Sequence, residues 1–253
     1  MTTTGTQGAY ATVNGLRMYY EVHGSGRPLI LLHGGMLTID LSFGTVLPAL
    51  TEQHQAIGVE LQGHGHTEDI DRALRLDVLA DDVVALMDHL GLERADIFGY
   101  SLGGLVATEL AVRHPGRVDR LVLAATHFRP DGYHPEIFDP RQDSPLLPTE
   151  AHFAEMQRAY AAVAPDPDHF EAFLERLQPM VTGFRGWTDE QLRALTAPTL
   201  LVIGDTDFVR VEHAAVIHDL IPNARLAVLP NCTHMDLMRR ADLLPAVRPF
   251  LDR

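Results

Sequence analysis

Ser101 lies inside GYSLG, residues 99–103, with a strand-like run, ADIF, directly before the motif and helix-forming residues directly after it. A hydroxyl on such a strand-to-helix turn can attack a carbonyl, provided a base takes its proton and a third group orients that base. In a sharp elbow, side chains two positions before or after the serine collide with neighbouring backbone, which accounts for Gly99 and Gly103. Gly104 adds close packing of the helix on the sheet. The bare pattern is weak by itself, since an ordinary helix N-cap serine looks the same. Its weight depends on residues far downstream.

The chain has fourteen histidines, so position must choose among them. RLAVLPNCTHMDLM puts His234 in a loop past the last strand-like run, within reach of the sheet edge that carries Ser101. The acid belongs between serine and histidine in this chain order, and TLLVIGDTDFV offers Asp205 and Asp207. Asp207 is preferred, because the turn opened by Gly204 leaves Asp205 to cap or brace the loop. Charge that develops on a carbonyl oxygen under attack needs donors. One is the Leu102 N–H at a helix N-terminus; the other comes from HGGM, with Gly35 preferred and Met36 next. Met36, His127, Phe128, Phe184, Trp187 and Phe208 are candidates to line a substrate pocket, although plain core packing explains the aromatic residues equally well.

These residues need a scaffold, and periodicity supplies one. Residues 8–23 read as a hairpin about Asn14-Gly15, and PLILLHGG as a strand buried on both faces. A helical stretch around 42–53, the strand HQAIGVEL and the loop QGHGHTED follow. From Leu76, apolar positions at Leu79, Val83, Leu86, Met87 and Leu90 keep helical spacing up to Gly91. RADIFGY is a strand, SLGGLVATELAVRHP a helix closed by Pro115, and VDRLVLAAT a strand. This alternation predicts an α/β fold with a mostly parallel sheet covered by helices on both faces. From 127 to 187 the alternation lapses into two helical runs without a strand between them, predicting an inserted helical lid in a core domain of 1–126 and 188–253. The rhythm resumes with TLLVIGD, a helix at 211–220, RLAVLP, and a final helix from about 235 to 251.

A formal charge of −14 disfavours nucleic acid and anionic membrane partners. One cysteine, Cys232, rules out an internal disulfide framework, and a buried small apolar residue is its expected role. The opening residues show no basic n-region and no apolar h-region, and no apolar run is long enough for a membrane span, so a soluble cytoplasmic protein is expected. GHGHTED offers His64, His66, Glu68 and Asp69 as potential ligands, but without helical HExxH spacing a solvated loop is expected and no metal. Gly24 and Gly26 lack the following helix that a dinucleotide site needs. Monomer and homodimer are both compatible with the sequence.

LLHGG, VELQGHG, GYSLGG, LLVIGDTD and LPNCTH stand in an order that resembles the α/β-hydrolase superfamily, specifically a serine esterase or lactonase-like member with a helical cap. The resemblance implies Ser101 as nucleophile, Asp207 as acid, His234 as base, and Gly35 and Leu102 as oxyanion donors. The implied reaction is hydrolysis of a small carboxylic ester or lactone through an acyl-enzyme, with no cofactor. Glu60 stands where an aspartate is commoner and Thr67 where serine is, both at loop-bracing positions. The same triad in this family serves perhydrolysis, amide cleavage and C–C bond hydrolysis, and some members act as small-molecule receptors with little turnover. Esters are the default, because an alkoxide leaves more readily than an amine or a carbanion.

Overall fold

In the computed structural model, which describes residues 7–138 and 144–253, the short apolar runs form the strands of one sheet. They are β1 (Gln7–Val13), β2 (Leu16–Gly24), β3 (Arg27–Leu32), β4 (His54–Val59), β5 (Ala95–Tyr100), β6 (Val118–Ala124), β7 (Thr199–Thr206) and β8 (Ala224–Thr233). Their order across the sheet is β1-β2-β4-β3-β5-β6-β7-β8. β1 and β2 form the expected hairpin, with Asn14 and Gly15 both at positive φ, as a tight two-residue turn requires. β2 also runs antiparallel to β4; every other pairing is parallel.

The helices are α1 (Ile39–Phe43), α2 (Leu47–Leu50), α3 (Leu76–His89), α4 (Leu102–Arg113), α5 (Glu150–Val163), α6 (Phe170–Gly183), α7 (Asp189–Arg193), α8 (Val211–Leu220) and α9 (Leu244–Leu251). Alternating residues along a strand point to opposite faces. Ile30, Leu32, Ile97 and Leu121 accordingly pack with α3 and α4, while Leu29, Leu31, Phe98 and Val122 pack with α1, α2 and α9. Two apolar layers on a two-sided sheet explain why β3 and β5 read as continuous apolar runs rather than alternating ones. Among the described residues, no helix is long and apolar enough to cross a membrane.

Three elements differ from the sequence reading. The helix expected around 42–53 is broken into α1 and α2, because Pro48 starts a new first turn and Gly44 closes the previous one. The last helix begins at Leu244 rather than near 235. The preceding residues instead form short 3₁₀ turns, tied back to β8 by Arg240, which donates to the carbonyls of Pro230 and Asn231. The short helix α7 went unread, although Thr188 and Gln191 form a capping box at its start.

The stretch 127–187, of which 139–143 fall outside the described residues, carries α5 and α6 between β6 and β7. A buried carboxylate fastens α6 to the loop after β4. Asp69 is bonded by His169 Nε2 at 3.0 Å and by Arg176 Nε at 3.1 Å, while Gln62 donates to its other oxygen at 2.8 Å.

Candidate active site

Ser101 joins β5 to α4 with φ +53° and ψ −115°, a conformation a side-chain-bearing residue adopts only where its surroundings enforce it. Its N–H is held by the Ala124 carbonyl at 2.9 Å. The glycines around it answer to backbone. A Cβ on Gly99 would meet the Gly103 carbonyl, one on Gly103 would meet the Leu32 carbonyl at the end of β3, and one on Gly104 would press on Thr126 at 2.7 Å. The elbow is therefore wedged among three strand ends.

His234 follows β8, and its Nε2 lies 3.0 Å from Ser101 Oγ. Its Nδ1 lies 2.9 Å from Asp207 Oδ1, an oxygen that also accepts from the Val209 N–H at 2.9 Å. With Nδ1–H donating to the carboxylate, Nε2 is free to accept from the serine hydroxyl. Two further contacts fix this imidazole, and sequence reasoning missed the first. The Tyr100 hydroxyl donates to the His234 carbonyl at 2.7 Å, and the Phe208 ring stacks on the imidazole at 3.6 Å. His234 and Asp207 are both buried.

Asp205, the other acid, is exposed and turned away. It accepts from the Cys232 N–H at 3.1 Å, and backbone donors at Asn231 and Cys232 hold its carboxyl below the usual range. It ties the end of β7 to the end of β8, where Gly204 passes too close to the Cys232 carbonyl for any side chain. Cys232 is buried, and burial pushes its thiol up to about 11.

Leu102 opens α4, so its N–H has no carbonyl partner within the helix. Gly35 is adjacent: a Cβ there would touch the Leu102 side chain at 3.7 Å. The loop that carries Gly35 and Met36 is locked by His33, whose role no sequence pattern disclosed. His33 Nδ1 donates to the Gly34 carbonyl at 2.8 Å and its Nε2 accepts from the Leu61 N–H at 3.0 Å. Burial lowers its pKa and keeps it in the neutral tautomer those two bonds need. Met36 continues the turn at φ +63°. Glu60 and Thr67 brace the neighbouring loop: Glu60 takes the His66 N–H and ring Nδ1, while Thr67 donates to the Glu60 carbonyl at 2.7 Å.

A cavity of about 260 Å³ opens above Ser101. Met36, His127, Phe184 and Phe208 line it, as do Leu76, Leu105, Tyr133, Met156, Leu177 and Met180, which the sequence did not single out. Phe128 and Trp187 do not line it. Phe128 is turned into the core against His213, and Trp187 donates its ring N–H to Glu109 at 2.6 Å. Among the described residues no arginine, aspartate or glutamate lines the cavity, and the chain contains no lysine. Three of the potential ligands in GHGHTED are engaged elsewhere, His64 on the Gln62 carbonyl, His66 on Glu60 and Asp69 on α6, and Glu68 is exposed. Among the described residues no group of three such side chains is placed to hold a metal.

Comparison with known proteins matches this architecture over nearly its full length. The chain is 28% identical to a 2-hydroxymuconate semialdehyde hydrolase of Pseudomonas sp. strain CF600, over 90% of this chain and 87% of that one. It is 26% identical to a non-heme haloperoxidase of Rhodococcus erythropolis, over 92% and 94% of the two chains. Its backbone is similar to that of a meta-cleavage product hydrolase from Pseudomonas fluorescens IP01, with a TM-score of 0.83 at 22% identity, covering 96% of this chain and 97% of that one. The family model described as alpha/beta hydrolase fold matches residues 27–181, and with more than half its length inside that model the chain belongs to this family.

Proposed function

We propose that this protein is a serine hydrolase that cleaves a small, uncharged carboxylic ester or lactone through an acyl-enzyme. The observation that carries the reading is the continuous bonded series Asp207–His234–Ser101 at an apolar cavity beside the Leu102 and Gly35 amides. Ser101 Oγ attacks the substrate carbonyl while His234 Nε2 takes its proton, and Asp207 stabilises the resulting imidazolium. The Leu102 and Gly35 N–H groups receive the oxyanion, each such donor being worth about a hundredfold or more in rate. His234 then protonates the departing alcohol and later draws a proton from water as it attacks the acyl-enzyme. Residues 127–187 serve as a cap over a core of 1–126 and 188–253, supplying Met156 and Met180 to the cavity wall. An uncharged substrate is favoured because the cavity wall formed by the described residues is mainly apolar and includes no arginine to meet a carboxylate.

The test is hydrolysis of short p-nitrophenyl esters and of aliphatic lactones by the wild type and Ser101→Ala. The wild type turns over at least one class, and the variant loses about 10⁴-fold or more while keeping its circular dichroism spectrum. Turnover that survives the substitution, or none on either class, refutes the reading.

A further inference from the structure

His127 occupies an unusual position in the cavity wall. It follows β6, it is only 6% exposed, and it lines the same cavity as Ser101 and His234. The other polar lining side chains have work to do. Ser101 and His234 bond each other, and the Tyr100 hydroxyl holds the His234 carbonyl; Tyr133 is also engaged. His127 has no hydrogen bond to any described residue. Its ring is held by packing alone, against Tyr133 at 4.2 Å and edge-on to Phe184 at 5.3 Å and 90°. From behind, Gly132 fits so closely that a Cβ there would lie 2.7 Å from that of His127. An imidazole so placed keeps one N–H donor and one lone pair that only a molecule inside the cavity can meet.

We propose that His127 selects substrates that carry an uncharged oxygen function, a hydroxyl or a carbonyl, near the scissile carbonyl. The proposal rests on the serine-hydrolase reading above and narrows its substrate class. Burial and the neighbouring imidazoles of His213 and His234 push the His127 pKa down to about 3, so the ring stays neutral wherever the enzyme is folded. A neutral ring offers no charge to a carboxylate, but it satisfies a hydroxyl or a keto oxygen in either direction by choice of tautomer. The apolar remainder of the wall, with Leu105, Leu177, Met180 and Phe208, accommodates the rest of an acyl chain. A polar group left unmatched in an apolar site is costly, so a substrate that lacks the oxygen function is discriminated against.

The experiment compares kcat/KM for p-nitrophenyl butanoate, p-nitrophenyl 3-hydroxybutanoate, p-nitrophenyl 3-oxobutanoate and the negatively charged p-nitrophenyl hemisuccinate. In the wild type one of the two oxygenated esters exceeds butanoate by about tenfold or more, and hemisuccinate is the poorest. His127→Leu brings the oxygenated-to-plain ratio close to one. His127→Asn, which keeps a donor and an acceptor, retains part of the preference and stands in if the leucine variant does not fold. The ratio is read rather than the absolute rate, so general loss of activity does not mimic the effect. A wild type that treats plain and oxygenated esters alike overturns the proposal, as does a ratio unchanged in both variants. Turnover that no longer depends on Ser101 sinks the hydrolase reading itself, and the two failures are thereby distinguishable.

Discussion

Mild acid is expected to destabilise this protein through its buried histidines. Burial and then the neighbouring imidazoles of His213 and His234 push His127 down to about 3, and burial foremost pushes His213 down to about 4, against an ordinary value of 6.5. The unfolded chain takes up these protons near pH 6.5 and the folded chain refuses them. The stability they confer is therefore complete above pH 6.5 and is lost as pH falls through that value toward the folded ones. Between pH 7 and pH 5 each of the two costs about 2 kcal/mol, about 4 kcal/mol together, against a total of roughly 5–15 kcal/mol for an ordinary domain. His33 and His64, both buried and lowered, act in the same direction. His66, raised chiefly by its hydrogen bond to Glu60, acts in the other direction, as do Asp82 and Asp96, raised chiefly by burial, and together they offset part of the loss. The assay is urea unfolding at the two pH values and constant ionic strength, read as the extrapolated free energy with the denaturant slope checked for constancy. His127→Leu should remove about 2 kcal/mol of the pH dependence, whatever it does to stability at pH 7. Equal wild-type stability at pH 7 and pH 5, or a variant with wild-type pH dependence, refutes the reasoning.

Asp207→Asn should lower kcat by about 10⁴-fold, because an amide no longer fixes the tautomer of His234, while Asp205→Asn should stay within about tenfold and act mainly on stability. Steady-state kinetics on one ester settles the order, and the reverse order would make Asp205 the acid. Gly103→Ala should destabilise by about 1–3 kcal/mol or more and abolish activity, because the new methyl falls on the Leu32 carbonyl rather than on a movable side chain; thermal melts and ester assays read both effects. Asp69→Asn should release α6, at a cost of about 1–3 kcal/mol, and hasten limited proteolysis within 170–183, since His169 and Arg176 lose their shared carboxylate.

The sheet was legible because a strand buried on both faces leaves a run such as PLILL that no amphipathic helix would use. The grouping of the candidate site was legible where backbone geometry imposes a local rule: glycines about Ser101, an acid and a histidine each just past a strand. What was hidden depends on contacts between distant segments. Nothing in the vicinity of His33 says that its ring bridges Gly34 and Leu61, and nothing near Tyr100 says that its hydroxyl ends on His234. Trp187 and Phe128 have the right composition for a pocket wall, yet the first finds Glu109 and the second the ring of His213. The direction in which an aromatic side chain points is decided by packing, which residue type does not encode.

The three residues of the bonded series arrive from three different strand ends, with Ser101 and His234 separated by 133 positions in the sequence and Asp207 and His234 by 27. β5 and β8 are separated in the sheet by β6 and β7, so the serine and the imidazole meet only after the three parallel pairings that link these strands are in register. Such non-local pairings close late, since chain entropy opposes them until they can reward one another. Regain of activity on refolding is therefore expected to track completion of the β5-to-β8 half of the sheet and to lag behind recovery of the helical signal.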